Sequence, residues 1–331
     1  MFVGNWDHTH RYLLDAERFI RRKGLTKLYK SRKVRLLHHS YTYLRLFHET
    51  TSLAHDSIDQ CRQPSSSADE TAEVDQDEPS FRLGAWNCGL EKKLSEVKDL
   101  EQGVNDLHLK NPSRWDYSLY HDVAGIPESF LNLLSQVVRL GNEIDISSRS
   151  PEPTSLSWGH FSSSAKTLER CITHWKPSPQ ELVQQDEALE AHQLLNVIDG
   201  TLDNKMQALH HALTIYFYRR IYDIEASMLQ SKVEQVRDCL VRCNQGHGAT
   251  AGHDFGMVWP GFIAACEALD PELQHSFTTW FDGAAARSGL QTFSVAKEIA
   301  EQVWERRQQQ KDTSFSWRDF IGKEGRRLFY T

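Results

Sequence analysis

Between Met206 and Met228 apolar side chains recur at steps of three and four residues: Met206, Leu209, Leu213, Phe217, Ile221, Ile224 and Met228. That spacing keeps one face of an α-helix apolar for about six turns, and no strand can present it on one side. A second stripe follows in a shifted phase, as Leu229, Val233, Val236, Leu240 and Cys243, before Gly246 and Gly248 end the segment. The shift predicts a bend, or a slight rotation of the stripe, near Ser231 within one element, the longest of the chain.

The other punctuated segments are also helical. Pro127 suits the first turn of a helix carrying Phe130, Leu131, Leu134, Val137, Val138 and Leu140, with Gly141 as its stop. Trp259-Pro260 opens another through Phe262, Ile263, Cys266 and Leu269, and Asp270-Pro271 breaks it and starts the next through Leu273, Phe277 and Phe281. Val295, Ile299 and Trp304 mark one more, and Tyr12 to Ile20 and Val34 to Leu53 are helix-like. No hairpin dipeptide sits between alternating residues. The expected fold is all-α, a multi-helix array or bundle with a long central helix.

Two stretches read as loops. Residues 61–80 form an acidic, Ser-rich insert expected to be disordered, with six acidic residues between Asp69 and Glu78. Residues 145–164 are Ser-rich and contain Pro151 and Pro153. The chain then divides into N-terminal helices over 1–60, the insert over 61–80, and a helical remainder over 81–331 interrupted by the 145–164 loop. No run approaches the ~18 apolar residues of a membrane span, and Met1 to His10 has no signal-peptide pattern. Six scattered cysteines without CxxC spacing point to a reducing compartment.

The net charge of −7 conceals an asymmetry. Residues 1–60 carry +5, and Arg18 to Arg35 holds nine basic residues and no acidic one. Arg21, Arg22 and Lys23, then Arg32, Lys33 and Arg35, form two short clusters patterned like a bipartite nuclear-import signal or a phosphate-contacting surface. The same residues also suit a solvated turn between helices. Further on, Tyr218, Arg219 and Tyr222, with His211 two turns earlier, project away from the apolar face of the long helix. They could line an effector pocket or serve helix packing.

Metal and enzyme chemistry is thinly represented. Cys239, Cys243, His247 and His253 could hold zinc, but Cys243 continues an apolar stripe. His-Asp pairs at His55-Asp56, His121-Asp122 and His253-Asp254 would suit a metal-dependent phosphohydrolase only if further ligands converged on them. No DDxxD, Walker, GxGxxG or GxSxG pattern is present.

The run Ala208-Leu209-His210-His211-Ala212-Leu213-Thr214-Ile215-Tyr216-Phe217-Tyr218-Arg219-Arg220-Ile221 resembles a signature of the fungus-specific transcription factor domain, in the subfamily that includes regulators of arginine metabolism and acriflavine sensitivity. Other segments resemble the same family in order: Trp6-Asp7-His8, Tyr41 to Arg45, Gly125-Ile126-Pro127, Trp259-Pro260, Ile263 to Ala268, Trp280-Phe281, Val303 to Arg307 and Ser316 to Asp319.

The resemblance implies a nuclear, non-enzymatic regulator of RNA polymerase II transcription with no cofactor in this chain. Its expected partners are the transcription machinery or a related zinc-cluster factor, with a small-molecule effector and no membrane. Family members carry an N-terminal binuclear zinc cluster, and no C-x2-C-x6-C spacing occurs here. DNA contact is therefore expected to be weak, or to come through a module upstream of a truncated N-terminus. The alternatives are an interaction scaffold dimerising through residues 229–243 and, third, the His-Asp phosphohydrolase.

Overall fold

A computed structural model describes residues 6–25, 29–52, 81–83, 89–149, 157–178, 181, 195–245 and 255–324. The described residues contain thirteen α-helices, and their only β feature is a single bridge between Val97 and Arg114. The fold is all-α, as the periodicities require. The acidic insert over 61–80 lies outside the described residues.

Helices α1 (Trp6–Phe19) and α2 (Arg32–Thr50) run antiparallel, joined through a π-helical turn at Ile20–Leu25. Tyr41 reaches back to Glu17, and the His10 and His48 rings stack at 5.4 Å. Three short helices follow: α3 (Leu90–Ser95), α4 (Leu100–Asn105) and α5 (Tyr120–Ala124). They lead to α6 (Glu128–Arg149), α7 (Trp158–Thr173) and the central α8 (Leu195–Ile221), which packs against α6, α7 and the two helices after it.

The apolar stripe of α8 is buried from Met206 to Ile221, and so are Ala208, Ala212, Ile215 and Tyr216 off the stripe. A helix apolar nearly all round is a hub rather than a surface rod. The expected single long element is two helices. Asp223 adopts a left-handed conformation (φ 50°), and Ile224 returns its amide to the Tyr218 carbonyl at 3.2 Å. Arg219 Nη1 then takes the Ile224 carbonyl at 2.7 Å. Helical hydrogen bonding therefore stops at Tyr222, and Met228 is left exposed.

After a 3-10 turn at Ala226–Leu229, α9 (Gln230–Gln245) folds back antiparallel onto α8. Lys232 approaches His211 (3.5 Å), and Arg242 Nε bonds Asn204 Oδ1 (2.9 Å). The shifted stripe is the other half of a hairpin: Leu229, Val233, Val236 and Leu240 are buried. The surface proposed for dimerisation at 229–243 is thus largely spent inside the chain.

Gly141 does not stop α6, which continues to Arg149. A Cβ at Gly141 would lie 2.4 Å from Arg220 Nε and 2.5 Å from its Cζ, so the missing side chain is the notch through which Arg220 crosses α6. Arg220 there bonds Asp145 at 3.0 and 2.8 Å and Asn142 at 3.2 Å, and Arg318 grips the same Asp145. Asp145 to Arg149, where a loop is expected, are therefore helical. At the other side of that stretch Ser157 caps α7 by accepting the His160 amide. Only residues 150–156 of the expected 145–164 loop lie outside the described residues.

Helices α10 (Val258–Glu267), α11 (Pro271–Ser288), α12 (Gln291–Gln310) and α13 (Trp317–Glu324) complete the chain. Trp259 in α10 anchors the core. Its ring lies 5.7 Å from Phe47, 6.0 Å from Phe130 and 5.7 Å from Tyr216, edge-on to each. Its indole N–H donates to Thr50 Oγ1 at 3.1 Å.

Candidate functional site

The four residues expected to form an effector or packing cluster leave α8 in three directions. Tyr218 and Tyr222 both donate to Glu169 of α7, at 2.7 and 3.0 Å. The Glu169 bond, with burial, pushes the Tyr218 hydroxyl up to about 12. His211 faces Lys232 of α9 and stacks on His210 at 5.8 Å. Burial, then the Lys232 charge, pushes its imidazole down to about 4, so it is neutral. Arg219 turns inward to Glu267. The two tyrosines come together; His211 and Arg219 do not join them.

Glu267 is fully buried at the end of α10 and lies between Arg219 (3.1 Å) and Arg307 of α12 (2.8 Å). Both guanidiniums also bind backbone carbonyls: Arg307 those of Phe315 and Cys266, Arg219 those of Ile224 and Ser314. One carboxylate thus ties together the ends of α8, α10 and α12. A buried charge with two cationic partners specifies position, and removing it leaves two guanidiniums uncompensated.

The two basic clusters meet at one end of the α1–α2 hairpin, where Gly24 lies against the His38 ring. Arg21, Arg22 and Lys23 project from the π-helical turn and are exposed; Arg32 and Lys33 are exposed in the first turn of α2. Arg21 is tied to Glu17 and Arg32 to Asp122. Arg35 is half-buried, donating to the Tyr117 carbonyl and lying over the Trp115 ring. Arg22, Lys23 and Lys33 supply the most outward-facing charge.

Among the described residues no three His, Cys, Asp or Glu side chains gather as a metal site. Cys239 is buried against Gln207 and Arg242, while His247, His253-Asp254 and His55-Asp56 lie outside the described residues. Asp122 is engaged by Arg32, and burial lowers the His121 imidazole.

A half-open cleft of about 600 Å³ lies between α3, the start of α6 and the end of α7. Leu94, Leu133, Pro112 and Trp175 form its apolar wall. Glu181 is consumed at its edge, accepting from the Ser129 amide and hydroxyl and the Ser178 amide, each at 3.0 Å. Glu91 pairs with Arg170. Burial raises the Cys171 thiol to about 11. Nothing in the sequence marked this cavity, because its residues come from four separated segments of ordinary composition.

Comparison with known proteins identifies the pattern. The family model described as "Fungal specific transcription factor domain" matches residues 1–331. Arginine metabolism regulation protein II of Saccharomyces cerevisiae is 25% identical over 187 residues, which cover 56% of this chain and 20% of that protein. The likeness therefore spans a fifth of the relative's length. No solved structure matches.

Proposed function

This chain belongs to the fungal specific transcription factor domain family, and from that premise we propose that it is the regulatory, non-DNA-binding part of a nuclear regulator of RNA polymerase II transcription. The observation that carries the reading is the family match along the whole chain. The buried architecture agrees with it: polar chemistry such as the Arg219–Glu267–Arg307 set is spent on joining helices. The module acts through contact, with the transcription machinery or a related zinc-cluster factor, and a small-molecule effector adjusts that contact. The cations Arg21, Arg22, Lys23, Arg32, Lys33 and Arg35, all but Arg35 exposed, supply a nuclear-import signal and a weak, sequence-blind attraction to phosphate.

A gel shift with the 331-residue chain tests the DNA part of this reading. The expected result is weak binding without sequence preference, lost between low and moderate salt as counterion release requires. Replacing the six cations by Gln should abolish it. Tight, sequence-specific binding by this chain alone would overturn the non-DNA-binding assignment.

A further inference from the structure

We propose that the outward face of α1, built on Tyr12, Ala16 and Phe19 and flanked by arginines, is a docking surface for an acidic amphipathic helix of a partner protein. The proposal rests on the contact-based reading above and gives that contact a place and a partner chemistry.

Helix α1 is held to the chain by another side. His10, Leu13 and Glu17 are buried. His10 stacks on His48, and Glu17 accepts from the Tyr41 hydroxyl at 2.6 Å. Residues seven apart return to nearly the same direction on an α-helix, and a residue four along falls about 40° away. Tyr12 and Phe19 therefore stand two turns apart and away from that contact, with Ala16 between them. The two rings are 67% and 68% exposed, and Ala16 is exposed as well. Among the described residues, Tyr12 and Phe19 are the only two large apolar side chains exposed on one and the same α-helix. Two rings spanning about 10 Å of axis, with a small residue leaving room between them, match one partner helix that presents anchors at i, i+3 or i+4, and i+7.

Charge selects the partner. From Arg11 to Lys23 the exposed charged residues are Arg11, Asp15, Arg18, Arg21, Arg22 and Lys23, one acidic among them. Asp15 is taken by Arg18 at 3.1 Å and Arg21 by Glu17 at 2.7 Å, so the positive surplus falls to Arg11, Arg22 and Lys23. Arg11 and Arg18, seven apart, share one flank of the stripe. A second copy of this face would set arginine against arginine, which opposes self-pairing. A helix whose apolar stripe is edged by Glu or Asp meets complementary charge along the same flank.

Fluorescence anisotropy on the 331-residue chain tests this with three labelled peptides of about 18 residues, five turns of helix, and a labelled single-stranded oligothymidylate. The first peptide combines Glu and Ala with leucines at helical spacing. The second is its scramble, and the third carries Lys in place of Glu. The patterned acidic peptide should bind saturably. The scramble should bind about tenfold more weakly, because its leucines no longer share a face, and the Lys peptide should not bind. Phe19→Ser should weaken the patterned peptide about tenfold, and Tyr12→Ser should act in the same direction. Replacing Arg11 and Arg22 together by Gln should weaken it about threefold. All four positions are exposed, and an unchanged melting temperature verifies the fold of each variant. Absence of saturable binding, equal binding of the scramble, insensitivity to both ring substitutions, or tighter binding of the oligothymidylate would overturn the proposal. The titration needs no transcription readout: a tethered chain without effect on a reporter would leave the surface standing and count against the regulatory reading alone.

Discussion

Replacing Gly141 by Ala sets two effects of known size against each other. In a solvated helix interior the change stabilises by about 1 kcal/mol. Here the added Cβ would fall 2.4 Å from Arg220 Nε, 2.5 Å from Cζ and 2.9 Å from Cγ. An exposed arginine would swing aside. Arg220 is instead 6% exposed and held by Asp145 and Asn142 through three hydrogen bonds, so moving it breaks a buried ion pair. Breaking such a pair costs about 3–5 kcal/mol. The net expectation is a loss of about 2–4 kcal/mol, or a fall in melting temperature of about 3–6 °C for a chain of this size.

Thermal unfolding followed by circular dichroism at the helix band reads this directly. Arg220→Met provides the internal control: with the guanidinium gone, Gly141→Ala should cost little or stabilise. A higher melting temperature for Gly141→Ala in the otherwise unchanged chain would refute the notch and return Gly141 to an ordinary helix glycine.

Glu267→Gln should destabilise the chain by about 3–5 kcal/mol in urea unfolding, because Arg219 and Arg307 are left buried beside a neutral group. Acid should weaken the fold well above the carboxylate range. Burial, followed by neighbouring cations, pushes His39 down to about 4, so between pH 6.5 and 4 the unfolded chain binds the extra proton and stability falls with pH. His39 alone contributes about 2–3 kcal/mol of that fall; His39→Gln should flatten the unfolding-midpoint profile in this window. Glu17 adds a loss at lower pH: burial raises its carboxyl, but His108, Tyr41 and Arg21 outweigh it and hold it below the usual carboxylate range. Its contribution is present above about pH 4.5 and disappears as the carboxylate protonates. A fluorescent fusion of the chain should lose nuclear enrichment when Arg21, Arg22, Lys23, Arg32, Lys33 and Arg35 become Gln; unchanged imaging would remove the import role.

Helix positions were legible wherever local rules decide them. Pro271 after Asp270 begins α11, where Asp270 caps by accepting the Glu272 amide, and the Leu209–Phe217 stripe is buried as its spacing requires. Misreadings arose where a distant residue overrides the local signal. Gly141 reads as a stop until Arg220 is placed beside it. The reversal after Ile221 contains no glycine or proline: Asp223 takes the left-handed conformation, and Arg219 braces the turn from within α8. Two apolar stripes in different phase therefore looked like one bent helix, although each is half of a hairpin.

The chemistry was less legible than the fold, for the same reason. Glu267 looks in sequence like any helix-end carboxylate, and only the convergence of α8 and α12 makes it the meeting point of two arginines. Tyr218, Arg219 and Tyr222 are neighbours in sequence, yet consecutive helix positions diverge by ~100°, and Arg219 turns to Glu267 while the tyrosines turn to Glu169. The cavity has the converse property: Asn132, Trp175 and Lys176 are brought together by the packing of α6 against α7, and no local pattern announces them.

The direct test of a chain that regulates by contact is to tether it. Fused to an unrelated DNA-binding module in a fungal cell, the 331-residue chain should change transcription of a reporter bearing that module's sites, and Glu267→Gln should abolish the change while the fusion stays bound to DNA. A reporter that responds identically to the tethered chain and to the bare module would contradict the account.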